Sequence, residues 1–213
     1  MKSLAVLCVL FSASLAAASG LRIRRSCAAD APRCRALAAD HLAGAIPSPR
    51  WWHSALRKRK RKALRCFVAL REGDIVGFVI CRRVRAGAKL VNEQNTEHTF
   101  RDVEWASAED RGHIAMVAVA PEHRGNGVGR ALITRAERLL RRQGLHLVSL
   151  YVRESSTAVG FYEKLGYATE ARVERYYGHP DPEDALMLLR RLPKPDPRSV
   201  SYTHLTLPTI LLV

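Results

Sequence analysis

Six apolar residues in a row, Ile114-Ala115-Met116-Val117-Ala118-Val119, run through Pro121 into Arg124-Gly125-Asn126-Gly127-Val128-Gly129-Arg130. A strand that is apolar at every position must be covered on both faces, so it belongs inside a layered sheet. The glycines must then turn the chain sharply. Directly after them Val128, Ala131, Leu132, Ala136, Leu139 and Leu140 recur at helical spacing. In a strand, glycine turn and helix, backbone N–H groups can approach an anion, and the partial positive charge at the helix start adds attraction. A diphosphate is the natural guest. The loop has no Lys-Ser or Lys-Thr, as a Walker loop requires. Its Gly-x-Gly-x-Gly spacing at the fourth strand also departs from the dinucleotide-binding pattern. What fits is Arg-x-x-Gly-x-Gly, carried by Arg124, Gly127 and Gly129.

Elements alternate on either side of this segment. Residues 21–25 read as a short strand. Asp30 reads as the N-cap of a helix with Pro32 in its first turn, ending near Leu42, and Gly44, Pro47 and Pro49 follow. Residues 51–64 read as a second helix. Residues 66–70 and 75–84 form a hairpin about a Gly73-Asp74 turn. Residues 85–112 are polar and irregular. Gly144 ends the helix after the loop, and residues 147–152 form the next strand. Ala158, Phe161, Tyr162 and Leu165 make a helical stripe closed by Gly166, and residues 167–172 and 185–192 supply two last strands. The result is a mixed α/β sheet flanked by helices. With a two-residue Gly73-Asp74 turn, Cys66 would face Cys81, and in an oxidising compartment a cross-strand disulfide is conceivable.

Three segments are expected: a targeting segment at 1–20, the folded domain at 21–192 and a Pro-rich tail at 193–213. Residues 4–18 are apolar and uncharged, follow Lys2 and end in small residues, the pattern of a cleavable signal. The expected address is an organelle such as a plastid, or the secretory pathway, with no stable membrane insertion after cleavage. Without a true signal the protein would be cytoplasmic. Pro193, Pro195 and Pro197 end regular structure. The stretch from Ser201 to Thr209 resembles translated adapter sequence, so the tail is expected to be disordered or an artefact. Hydrophobic residues at 47% and charged residues at 26% exclude a wholly disordered chain and a multi-span membrane protein. Thirty-five Lys and Arg against 20 Asp and Glu leave a formal charge of +15, which favours acidic partners. Five cysteines without a CxxC pair exclude a disulfide scaffold and point to no metal site.

The Arg124–Gly129 pattern resembles the GNAT acetyltransferase superfamily. Further pieces occur in family order: Gly112-His113-Ile114, Leu150-Tyr151-Val152-Arg153, Phe161-Tyr162-Glu163-Lys164-Leu165-Gly166-Tyr167, Tyr176-Tyr177 and Glu183-Asp184-Ala185. Together they are most similar to the N-terminal α-amine acetyltransferases, including ribosomal-protein alanine acetyltransferases and the catalytic subunits of N-terminal acetyltransferase complexes. The resemblance implies a mostly antiparallel central sheet splayed between its fourth and fifth strands. It implies acetyl-CoA as co-substrate, its pyrophosphate held at Arg124, Gly125, Asn126, Gly127, Val128, Gly129 and Arg130. It places pantetheine and the acetyl oxygen against Val117, Ala118 and Val119, with Ser156, where relatives carry Asn, also near the cofactor. Tyr162 would protonate the leaving thiolate. Tyr176 and Tyr177 would grip the first residues of the acceptor.

Where relatives carry a glutamate or histidine base, this chain has Tyr151, a poor base at neutral pH. His113 is the substitute, with a second role in contacting the peptide. An α-amine has a pKa about 2.6 units below that of lysine, so about a quarter of α-amines are neutral at pH 7.4 against about one lysine in a thousand. Loss of the carboxylate therefore favours an α-amine acceptor. The expected function is direct acetyl transfer to protein N-termini in a ternary complex. The alternatives are a lysine or small-molecule amine acceptor, or a catalytically inactive CoA- or ribosome-binding module. The basic run Arg57-Lys58-Arg59-Lys60-Arg61-Lys62 fits ribosomal RNA, acidic peptides or a solvated helix face.

Overall fold

The computed structural model describes residues 20–41, 52, 56, 64–86, 109–177 and 183–194. The targeting segment up to residue 19, the basic run at 57–62 and the tail from 195 lie outside them. Seven strands form one sheet: β1 (Arg22–Arg25), β2 (Leu64–Arg71), β3 (Asp74–Val84), β4 (Arg111–Val119), β5 (Leu147–Arg153), β6 (Ala168–Tyr177) and β7 (Glu183–Arg191). Their spatial order is β1-β2-β3-β4-β5-β7-β6. Neighbours are antiparallel except for the parallel pair β4–β5. The helices are α1 (Ala31–His41), α2 (Val128–Arg142) and α3 (Ala158–Glu163).

The apolar stripe of α2 dictates one layer. Leu132, Ile133, Ala136 and Leu140 are buried against Val79, Ile114, Leu150 and Leu188 of the sheet. Each large side chain so buried stabilises the fold by about 1.5–3 kcal/mol relative to exposure. The opposite face packs Cys34 and Leu37 of α1 with Val68, Phe78, Ile80 and Met116. Trp52 and Leu56, the two described residues of the stretch expected to be a second helix, are helical and join this layer, with Trp52 edge-on to Phe78 at 5.5 Å. Gly112 sits where α2 crosses β4. A Cβ there would meet Leu140 Cδ1 at 2.5 Å, so only glycine admits the helix this closely.

Three expectations change. The hairpin turn is Glu72-Gly73, both at positive φ, and not Gly73-Asp74. Together with a bulge at Ala69/Leu70, this sets Cys66 opposite Ile80 and Cys81 opposite Arg65. Cys66 then belongs to the α1 layer and Cys81 to the α2 layer, so the sheet itself separates them and no disulfide joins them. Asp30 precedes α1 but does not cap it. Its carboxylate turns back to the N–H of Cys27 at 2.7 Å and to the Arg24 guanidinium at 2.7 and 2.8 Å, which holds its pKa below the usual carboxylate range. Finally, β6 runs five residues past its expected end at Arg172, to Tyr177.

Candidate active site

The parallel pair is short. β4 and β5 pair only at Gly112–Val148, His113–Ser149 and Ile114–Leu150. β4 continues to Val119 bonded to β3, while β5 continues to Arg153 bonded to β7. Among the described residues the sheet is therefore open between them, with no strand partner for the backbone of Val117, Ala118 and Val119 on the β5 side. Such edge groups can bind an extended ligand as a neighbouring strand would.

The glycine turn closes the mouth of this opening. Ala120 N–H donates to Val76 O at 2.9 Å, and Pro121–His123 make one tight helical turn. Arg124 then returns its Nε to Val119 O at 3.1 Å, pinning the loop to the strand end. Gly125 and Gly127 both have φ +74°, a region that crowds any side chain against its own backbone. Gly127 is the N-cap of α2. The N–H groups of the first turn, Val128, Gly129 and Arg130, have no acceptor within a helix and point outward from its start. No atom would lie within 4 Å of a Cβ on Gly125 or Gly127, so the cradle is open as well as turned. The donor set fits a diphosphate.

Tyr162 approaches from the other wall. Its helix starts where Ser156 Oγ accepts the N–H of Ala158 at 3.2 Å, so this hydroxyl shapes the entry to α3. Gly129 of α2 packs against Phe161, 3.2 Å from an ideal Cβ to the ring, and Phe161 lies edge-on to Tyr162 at 5.1 Å. Tyr162 is buried, and burial followed by the nearby Tyr177 phenol pushes its pKa well up. It keeps its proton at neutral pH. Behind it, Tyr167 packs edge-on at 5.9 Å and donates its hydroxyl to Glu137 at 2.8 Å, and Arg190 bridges both oxygens of Glu137 at 3.0 Å.

On the α1 face of the sheet a chain of rings lines the opening. His113 lies 5.7 Å from Tyr151, Tyr151 stacks on Tyr176 at 4.5 Å, and Tyr176 meets Tyr177 edge-on at 5.0 Å. The Arg153 guanidinium covers Tyr177 at 4.4 Å and is held by Glu183 at 2.6 Å. His113, Tyr151, Tyr176 and Tyr177 are thus brought together, and the Tyr177 phenol lies near enough to Tyr162 to help raise its pKa.

The environment of His113 does not suit the role of base. It is buried, shares a hydrogen bond of 3.1 Å between Nδ1 and Ser149 Oγ, and faces Arg82 and Arg111. Burial first, then the two guanidinium groups, lower its pKa to about 3. A ring so hard to protonate is a weak proton acceptor. Tyr151 is no stronger a candidate. Burial raises its pKa, with Arg111 and Arg82 opposing, so it stays a neutral phenol. Arg82, Arg111 and Ser149 are site neighbours that pattern reasoning did not find; Arg111, buried inside β4, reads in sequence as a strand end. Among the described residues, no three His, Cys, Asp or Glu side chains gather as metal ligands.

A mixed sheet opened beside its one parallel pair, with an anion cradle at the mouth, defines a fold class shared with solved N-acetyltransferases. Arabidopsis thaliana NAA60 in complex with acetyl-CoA superposes with a TM-score of 0.64 over 80% of this chain and 98% of that one, at 15% identity. Residues 32–167 match the model of the acetyltransferase (GNAT) family, and the chain belongs to that family. Among curated relatives, N-alpha-acetyltransferase MAK3 of Arabidopsis thaliana is 30% identical over 131 residues, 61% of this chain and 57% of that protein. N-alpha-acetyltransferase 30 of Schizosaccharomyces pombe is 30% identical over 113 residues, 52% of this chain and 62% of that protein. The similarity thus spans about three-fifths of these relatives' length.

Proposed function

We propose that this protein is an N-α-acetyltransferase that moves the acetyl group of acetyl-CoA directly onto the neutral α-amine of a polypeptide. The N–H groups from Arg124 to Arg130 hold the diphosphate. The unpaired backbone of Val117, Ala118 and Val119 aligns the pantetheine arm and polarises the thioester carbonyl. The amine nitrogen bonds to the thioester carbon as the carbon–sulfur bond breaks, Tyr162 gives its proton to the departing thiolate, and the proton released by the acetylated nitrogen returns the phenol to its neutral form. Tyr151, Tyr176 and Tyr177 seat the first residues of the acceptor, with His113 as a neutral wall.

The observation that carries this assignment is the neutrality of the acceptor wall. Tyr151, at the position where the resemblance places a base, and His113, its expected substitute, are both held in forms that take up no proton at neutral pH. An acceptor that arrives already neutral suits such a site, and an α-amine does so about 250 times more often than a lysine at pH 7.4. The names of the N-alpha-acetyltransferase relatives support the same acceptor class. The basic run at 57–62 would add a hold on ribosomal RNA, and the apolar start of the chain would send it to an organelle or the secretory pathway. Both rest on sequence.

The test is transfer from labelled acetyl-CoA to a panel of peptides with free N-termini, alongside N-terminally blocked lysine peptides. Label on the α-amine supports the proposal. Label on lysine alone would assign a different acceptor, and binding of acetyl-CoA without turnover would make the protein a binding module.

A further inference from the structure

We infer that Asp184 is a positioning residue for acceptor recognition: by accepting the backbone N–H of Arg175 it holds β6 in the bulge that lays Tyr176 against Tyr151. This rests on the acceptor role proposed for the tyrosines.

The β6–β7 ladder runs from Ala168–Leu189 to Val173–Ala185 and then jumps to Tyr177–Glu183. Glu174, Arg175 and Tyr176 of β6 therefore lie opposite a single residue of β7, Asp184. Extra residues in one strand kink it and re-aim its side chains. Arg175 takes the kink with φ +50°, one of two non-glycine residues at positive φ among those described. A side chain in that conformation crowds its own backbone, so an arginine does not hold it unaided.

Asp184 supplies the aid. Its Oδ1 accepts the N–H of Arg175 at 2.7 Å. Its Oδ2 pairs with Arg172 at 2.9 Å, and its carbonyl accepts the N–H of Glu154 at 3.1 Å. One residue thus ties the end of β5 to the kink in β6. A charged acceptor on a backbone amide is among the stronger hydrogen bonds. In a regular strand Tyr176 and Tyr177 would point to opposite faces. In the kink they meet edge-on, and Tyr176 lies nearly parallel to Tyr151, 20° between ring planes. The geometry of the wall that the acceptor meets is set by a carboxylate that does not belong to the wall.

Glycine at 175 would hold the kink without help, and that supplies the test. Asp184→Ala is expected to raise the KM of the acceptor peptide about tenfold, while kcat and the KM for acetyl-CoA stay within about twofold. Adding Arg175→Gly to that variant is expected to return the peptide KM to within about threefold of wild type. Arg172→Ala removes the ion pair but spares the amide contact, and should leave the peptide KM in place. An unchanged peptide KM in Asp184→Ala, or a loss that glycine does not rescue, overturns the inference. The crystal structure of Asp184→Ala gives a readout that needs no acceptor: Tyr176 should leave Tyr151, and a preserved stack would also overturn it. If the wild type acetylates no peptide N-terminus, the acceptor assignment fails, and the fate of the kink is read from that structure alone.

Discussion

The two walls of the opening are built on different physics. The cofactor wall is made of backbone: glycines at positive φ, helix-start amides and a strand edge, all placed by local geometry over residues 117–130. The acceptor wall is made of side chains from β4, β5 and β6, and Tyr176 of β6 reaches Tyr151 of β5 although β7 lies between their strands. A backbone site tolerates most side-chain changes but not a change of backbone torsion. A side-chain site answers to changes in strands that contribute no ring to it.

The largest effect should come from the group shared by both walls. Tyr162→Phe is expected to lower kcat by about a hundredfold or more, with acetyl-CoA binding by calorimetry nearly unchanged. Unaltered kcat would remove Tyr162 from the chemistry. Next, Gly127→Val forces a β-branched residue to φ +74°, a strain of about 1–3 kcal/mol. The KM for acetyl-CoA should rise about tenfold or more while the peptide KM holds, and a rise confined to the peptide would reverse the division of labour. Tyr151→Leu should do the opposite. It forfeits a stacked pair worth about 0.5–1.5 kcal/mol, so the peptide KM rises about fivefold and the cofactor KM holds.

Gly129→Ala blurs the comparison on purpose. Its new methyl lies 3.2 Å from the Phe161 ring and presses on the helix of Tyr162, so a change on the cofactor helix should lower kcat about threefold. The smallest kinetic effect is expected from His113→Gln. The pH profile of kcat/KM should keep its shape, because it follows the amine of the acceptor; a lost or shifted limb would restore His113 as base. Its signature should appear in stability instead. The folded pKa of about 3 lies below the ordinary 6.5, so the unfolded chain binds that proton more tightly. Stability is drained as pH falls from about 6.5 toward 3, and the Tm of the variant should fall less steeply over that window.

Legibility followed the same division. The glycine turn and the helix after it were readable because glycine spacing and helical periodicity are local rules, whereas the splayed strand was expected only from the family resemblance. The stripe from Ala158 to Leu165 made Tyr162 readable as a buried helical residue, and its role came from the family resemblance. The expected start of β4 at Ile114 came three residues late, since Arg111, Gly112 and His113 do not look like a buried strand, yet Arg111 is 1% exposed. The end of β6 was lost because the alternation of Ala171 and Val173 with exposed Glu170, Arg172 and Glu174 stops at Arg175, where the strand kinks before Tyr176 and Tyr177. The hairpin register failed by one residue at Glu72, whose positive φ no composition rule reveals.

Residue order along the chain was enough for the glycine turn and its helix, which depend on neighbours a few positions apart, and for the family, through motifs spread from Gly112 to Ala185. Assembly in three dimensions was needed to disperse two cysteines to opposite faces, to bury His113 beside two guanidinium groups, and to stack Tyr176 on Tyr151. Those outcomes depend on strand register and dielectric environment, which arise from contacts between residues far apart in the chain.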